Sequence, residues 1–338
     1  MREKAPTIYD IAVLAGVNPS TVSRALSKPG RISAKTEKAI QDAAKQLNYR
    51  VNPMARALPT GRSRTLGLII ADITNPMYFD VLRGAERAAA LSGYTLVIAE
   101  SQESGEREAA TVERIAPSVD GLILGTTRLT DAQIAALAET KPLVVINRRV
   151  EGAADVEAIV PQLGPGIRQA LTHLADLGHT SLVYLSGPDR SWMSAARGEA
   201  LAAQARELGV AATQIGPGVP TLQGGRDALD AVVASGASAV FAYNDLMAIG
   251  LLHAAQERGL RIPGRLSIVG FDDIFGSDFT SPPLTTVRTP LGLMGELAAR
   301  KILDRLGEDP PDAGPTEAAG SPLATELVVR GSTGPVGD

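Results

Sequence analysis

Apolar residues in positions 1–49 recur at helical spacing, in three short runs separated by turn residues. Thr7 caps the first run, with Asp10 three residues on near the positive helix start, and Ile8, Ile11, Ala12 and Ala15 form its stripe. Gly16 ends that helix, Val17 turns inward, and Asn18 caps the next. Pro19 then stands at a first helical position, where a missing N–H costs nothing. The second helix runs to Leu26 and buries Val22, Ala25 and Leu26. The third follows Ser33 and buries Ala39, Ile40, Ala43 and Leu47. Two short helices on a tight glycine turn, closed by a third, predict an all-α helix-turn-helix over residues 1–49.

Residues 50–64 read differently. Asn52 and Pro53 start a helix that Pro59 and Gly61 stop after about two turns, too short to persist alone in water. This segment is a linker holding a conditional helix. From residue 65 to 338 short apolar strands alternate with longer amphipathic helices. Strands are predicted at Leu66–Ala71, Thr95–Ala99, Gly121–Leu124, Leu143–Ile146, Leu182–Leu185, Ala239–Ala242 and Leu266–Val269. The alternation predicts parallel, doubly wound α/β sheets, and the length predicts two similar lobes. Residues Gly307–Pro322, rich in Pro, Gly and Ala, read as a loop before a last strand within Leu323–Arg330.

Charge adds a division that the pattern alone does not show. Residues 1–64 hold 12 Lys or Arg against 4 Asp or Glu, while the rest of the chain holds 21 against 33. A basic head on an acidic body points to a polyanion at the head only. The chain has no cysteine, and His173, His179 and His253 are scattered, so no disulfide, thiol or metal site is expected. No signal-peptide core and no long apolar run appears, which predicts a cytoplasmic protein without membrane contact.

On the second helix, Ser20, Thr21 and Arg24 share the face opposite Val22 and Leu26. Small hydroxyls near a helix start approach phosphates and base edges, and an arginine pairs bidentately with guanine. In the body, ligands of doubly wound sheets sit beyond the carboxyl ends of the strands. The residues there include Asp72 and Asn75, Asn147 and Arg148, Asn244 and Asp245, and Asp272 and Asp273, with Met77 and Tyr78 as a nearby apolar wall. That mixture suits a hydroxyl-rich, carbohydrate-like ligand. Asp72, Asp245 and Asp273 read better as local caps; Asn147, Arg148 and Asp272 read better as ligand contacts.

The stretch TIYDIAVLAGVNPSTVSRALSKPGRISAKTEKAIQDAAKQLNYRVNPMARAL resembles the head of the lactose/galactose repressor (LacI/GalR) family. The segments NPMYFDVLRGAE, VDGLILG, FAYNDLMAIGLLHAAQERGLRIPGRLSIVGFDDI and SPPLTTVRTP resemble the body of that family and of periplasmic sugar-binding proteins. The resemblance implies that Ser20 and Arg24 touch base edges and that Pro19 holds a variable recognition position. It implies that Thr21, Ser23, Arg31, Ser33 and Thr36 serve the DNA backbone. For the linker it implies a hinge helix that folds on DNA, with Asn52 capping, Ala55 and Leu58 in the minor groove, and Arg56 beside phosphates. For the body it implies an effector arginine at Arg197, polar anchors at Asn244 and Asp272, and a palindromic operator bound by a homodimer. Asn147 stands where the family usually has aspartate, and Thr289 where it often has glutamine. Trp192 lies just upstream of Arg197, either walling the pocket or covering the lobe.

No GxGxxG, GxxxxGK[ST] or GxSxG motif is present, and no nucleophile pairs with a base, so neither catalytic residues nor a cofactor is expected. The alternative to a DNA-binding regulator is a solute-binding protein with no role at genes. It suits the body equally but leaves the basic head without a use.

Overall fold

The computed structural model describes residues 6–27, 30–49, 61–153, 156–308 and 323–337. They fall into two compact units, Met1–Arg64 and Thr65–Asp338.

The first unit is built from α1 (Ile8–Ala15), α2 (Pro19–Ser27) and α3 (Ala34–Gln46). The Thr7 N–H and hydroxyl both donate to Asp10 Oδ2 at 2.7 Å, which fixes the start of α1. Gly16 closes the helix at φ 66°, a left-handed conformation that glycine adopts without a Cβ penalty. The Asn18 carbonyl accepts from Thr21 and Val22 at the start of α2, and Ser33 Oγ accepts from the Thr36 N–H at the start of α3. Ile11, Val22, Ala25, Ile40 and Ala43 make the small core, with Leu26 and Leu47 packed at its edge. Ala39, expected inside, is exposed, because the turn of α3 that carries Ile40 and Ala43 inward points its neighbour outward.

The second unit is two lobes, each a sheet with helices on both faces. The first sheet has the order β2-β1-β3-β4-β5 and is parallel throughout. Its strands are β1 (Thr65–Ile70), β2 (Thr95–Glu100), β3 (Gly121–Gly125), β4 (Leu143–Ile146) and β5 (Glu157–Ile159). Between them run α4 (Met77–Leu91), α5 (Gly105–Ile115) and α6 (Asp131–Ala138). The second sheet has the order β11-β10-β9-β8-β6-β7. It contains β6 (Ser181–Leu185), β7 (Ala211–Ile215), β8 (Ala239–Ala242), β9 (Ser267–Asp272), β10 (Thr285–Arg288) and β11 (Glu326–Val328). Its helices are α7 (Leu163–Asp176), α8 (Trp192–Glu207), α9 (Leu222–Asp227), α10 (Leu229–Ala234) and α11 (Asp245–Glu257). The second sheet is parallel except at one edge. There β11 pairs antiparallel with β10, because the chain comes back to this lobe from the far side rather than through a crossover helix.

The chain passes between lobes three times: after β5, after β10, and before β11. The first and third passages are laced together, with Gln162 N–H donating to Leu323 O at 2.7 Å and Thr325 N–H to Gln162 O at 3.2 Å. After the second passage α12 (Leu291–Arg305) lies on α4 and behind β3, β4 and β5, so the first lobe is completed by chain from beyond the second. Two lobes joined in this way can tilt about their connections while each core stays packed. The carboxyl ends of both parallel sheets face the cleft between lobes, and the site is there.

Candidate functional site

In the head, Ser20, Ser23 and Arg24 are exposed on α2, Thr21 and Pro19 are half-buried, and the helix's inner face is Val22 and Ala25. Arg31 and Ser33 are exposed ahead of α3, and Thr36 is half-buried in its first turn. Ser33 and Thr36 share a hydroxyl hydrogen bond of 2.8 Å, so both are already occupied in capping α3. Asn52, Ala55, Arg56 and Leu58 lie outside the described residues.

The cleft in the body encloses about 340 Å³, its open mouth included. The first lobe contributes Asn75, Met77 and Tyr78 after β1, Glu103 after β2, Thr126 after β3 and Asn147 after β4. The second contributes Met193 and Arg197 from α8, Pro220 before α9, Tyr243 and Asn244 after β8, and Asp272 at the end of β9. Four of these residues are held with positive φ: Glu103 at 58°, Thr126 at 59°, Asn147 at 63° and Asp272 at 105°. Non-glycine residues in such conformations cost about 1–3 kcal/mol each and persist where surrounding structure over-determines them, commonly at ligand sites.

Most polar wall residues are held by identifiable partners. Asn75 Oδ1 accepts from the Met77 N–H at 3.1 Å, folding the asparagine onto the start of α4. Asn244 caps α11: its Oδ1 accepts from the Met247 N–H at 2.9 Å and its Nδ2 donates to Pro220 O at 3.1 Å. Tyr78 is buried, its hydroxyl accepting from the Ala71 N–H and donating to Gly125 O, and burial pushes the phenol's pKa up, so it stays neutral. Arg197 is the centre of the second lobe's wall. Its guanidinium lies 3.8 Å from the Phe271 ring centre and 4.9 Å from that of Tyr243. It donates to Tyr243 O and, at 2.7 Å, to Asp272 Oδ1. Burial pushes the Asp272 carboxyl up in pKa, and Arg197 works against that shift. Glu103 gives its Oε2 to Arg128, whose side chain is almost wholly buried and also donates to Thr126 O.

Two expected wall residues are placed elsewhere. Arg148 turns away from the cleft: its guanidinium donates to the carbonyls of Thr127 and Leu129 and, at 2.6 Å, to Asp131. It ties the β3 and β4 loops together. Trp192 is half-buried at the start of α8 and does not line the cleft; its neighbour Met193 does. Asp72 holds a turn through the Thr74 N–H and hydroxyl. Asp245 accepts from the Ile274 N–H, and Asp273 is held by Arg288 and Arg330. Sequence reasoning missed Glu103, Thr126, Met193, Pro220 and Tyr243. Reading the ends of β2 and β3 as those of β1 and β4 were read reaches Glu103 and Thr126.

Comparison with known proteins bears directly on this arrangement. Residues 7–52 match the bacterial regulatory proteins of the lacI family, and residues 171–333 match the periplasmic binding protein-like domain. The chain is 35% identical over 303 residues to the HTH-type transcriptional regulator GalS of Salmonella typhimurium, covering 88% of this chain and 89% of that one. The chain belongs to the LacI family. The HTH-type transcriptional repressor CytR of Escherichia coli is 31% identical over 341 residues, covering 98% and 97% of the two chains. Among solved structures, the Lac repressor dimer bound to operator and the anti-inducer ONPF superposes with a TM-score of 0.84 at 25% identity, covering 98% of this chain and all of that one. As a LacI-family member the protein is a DNA-binding transcriptional regulator under effector control, not an enzyme. Among the described residues no helix is long and apolar enough to cross a membrane.

Proposed function

We propose that the protein is a cytoplasmic repressor that binds a palindromic operator as a homodimer and is controlled by a small, polar, carbohydrate-like effector held between the lobes. The observation that carries this reading is a cleft walled by both lobes, on three connections, in the same chain as an exposed Ser20–Arg24 helix face. Ser20 and Arg24 read base edges in the major groove, with Pro19 beside them. Thr21, Ser23, Arg31, Ser33 and Thr36 lie along the phosphates. Residues 50–64 link the head to the body at 65–338, and a hinge helix with Asn52, Ala55, Arg56 and Leu58 forms there on DNA, Leu58 wedging the central base step.

Effector closure changes the tilt of the first lobe and so the spacing of the two hinge segments, which biases helices too short to fold alone. Asn75, Met77, Tyr78, Asn147, Arg197, Asn244 and Asp272 form the effector wall; Arg148 and Trp192 act on it only through neighbours. The similar Lac repressor dimer is bound to operator and to the anti-inducer ONPF together, which supports the same division of labour. Fluorescence anisotropy with a labelled palindromic duplex tests the reading. Tight binding whose affinity falls steeply with salt is expected, and salt-insensitive or absent binding refutes it.

A further inference from the structure

The charge balance of the cleft restricts what can enter it. Among the lining residues three carry formal charge: Arg197, Asp272 and Glu103. Arg197 and Asp272 neutralise each other at 2.7 Å, with side-chain exposures of 4% and 2%. Glu103 is neutralised by Arg128, whose side chain is 5% exposed. A ligand bringing a net charge therefore meets no unpaired counter-charge, and it gives up its hydration on entry.

Three buried polar atoms of the lining residues have no partner: Thr126 Oγ1 and Asn147 Oδ1 on the first lobe, and Arg197 Nε on the second. Asn147 is 3% exposed and held at φ 63°, a conformation that asparagine tolerates better than most residues. Its backbone N–H is committed to Ile159 O at 2.9 Å, so the residue is anchored and its carboxamide is left for the cleft. Arg197 donates one N–H from each terminal nitrogen, to Tyr243 O and to Asp272 Oδ1, and its Nε–H is left without a partner. Buried groups of this kind ordinarily find partners, and here a ligand is the partner that Asn147 and Arg197 can share. Met77, Met193, Pro220 and the two tyrosines add apolar surface to the wall.

We propose that the cleft selects an uncharged ligand that presents a hydrogen-bond donor to Asn147 Oδ1 and an acceptor to Arg197 Nε, thereby bridging the lobes. This deepens the effector reading above and rests on it. Phosphorylated, carboxylated and ammonium-bearing analogues are excluded by the same pairing that leaves the cleft neutral.

The test is isothermal titration of the full-length protein with matched probes: D-galactose against D-galacturonate, D-glucose against glucosamine, uridine against uridine monophosphate, and D-ribose against ribose phosphate. At least one neutral member is expected to bind, and its charged partner to bind at least tenfold more weakly. A charged member binding as tightly as its neutral counterpart overturns the proposal, and so does failure of every neutral member. Asn147→Gly, which keeps the positive φ and removes the carboxamide, is expected to weaken the neutral probe at least tenfold with the melting temperature held. Unchanged affinity in that variant overturns the role of Asn147. If a neutral probe binds as expected but leaves operator affinity untouched, effector control fails while the selectivity stands.

Discussion

Arg197 and Asp272 form an ion pair of 2.7 Å in which both side chains are almost wholly buried, and the guanidinium is held against the Phe271 ring. The pair joins α8 to the end of β9 and stiffens the second lobe's wall. Removing one member of a buried pair strands the other charge, a loss of about 3–5 kcal/mol. Arg197→Met is therefore expected to be severely destabilised in urea unfolding. Adding Asp272→Asn to it is expected to restore part of the loss, because the stranded carboxylate is gone. Additive losses in the double variant would count against the pairing account.

A second buried carboxyl predicts a pH dependence. Asp245 is fully buried, and burial pushes its pKa well above the usual carboxylate range, with Asp272 and Asp273 adding to the rise. The folded protein holds this proton more tightly than the unfolded chain. Its contribution to stability is thus complete below the ordinary aspartate value of about 3.9 and is lost as pH rises through the folded value. In Asp245→Asn that dependence is absent, while one carboxamide oxygen still accepts from the Ile274 N–H or from Thr286. Denaturant midpoints measured from acid to neutral pH are expected to move in favour of the asparagine variant as pH rises. A constant difference between the two proteins sinks the assignment.

The crossing of α4 and α12 depends on missing side chains. A Cβ on Gly84 would lie 1.9 Å from Gly292 O, and one on Gly295 would lie 2.0 Å from Val81 O. Neither backbone can retreat without moving its helix. Gly84→Ala is expected to cost about 1–3 kcal/mol or more by overpacking, despite alanine's better helix propensity. Thermal unfolding reads this directly, and a stabilised variant would show that the helices are free to separate.

The glycine contact shows where sequence reading stops. The helical run around Gly84 is legible from its own residues, but its neighbour arrives from position 292, more than two hundred residues on. Strands with continuous apolar runs were legible to within a residue or two: Leu143–Ile146 and Ala239–Ala242 as predicted, Thr65–Ile70 and Gly121–Gly125 nearly so. Three strands were not. β7 is an edge strand, largely exposed, and reads Ala-Ala-Thr-Gln-Ile with no apolar run. β10 carries Thr285 and Thr286 fully buried, their hydroxyls satisfied by Thr333 and Asp245, so its core face looks polar in sequence. β5 has three residues. In the cleft, strand-end position found Asn147 and Asp272. It misplaced Arg148, because position says nothing about whether a guanidinium meets closer carbonyls on its own lobe.

At the DNA-reading face the decisive variant is Arg24→Ala. Arg24 is exposed on α2 and takes no part in the head's core, which Ile11, Val22, Ala25, Ile40 and Ala43 supply, so the fold is expected to survive. A bidentate arginine–guanine pair is worth about 1–3 kcal/mol of base discrimination, about fivefold to more than a hundredfold in affinity. The variant should lose that much on the preferred operator and much less on unrelated duplex, where only phosphate contacts hold it. Specificity at one base pair should relax with it. A residue that met phosphate alone would instead weaken both duplexes alike and lower the salt dependence by about one counterion. Comparing binding to both duplexes across a salt series separates the two outcomes, and uniform loss would move Arg24 from the base edges to the backbone.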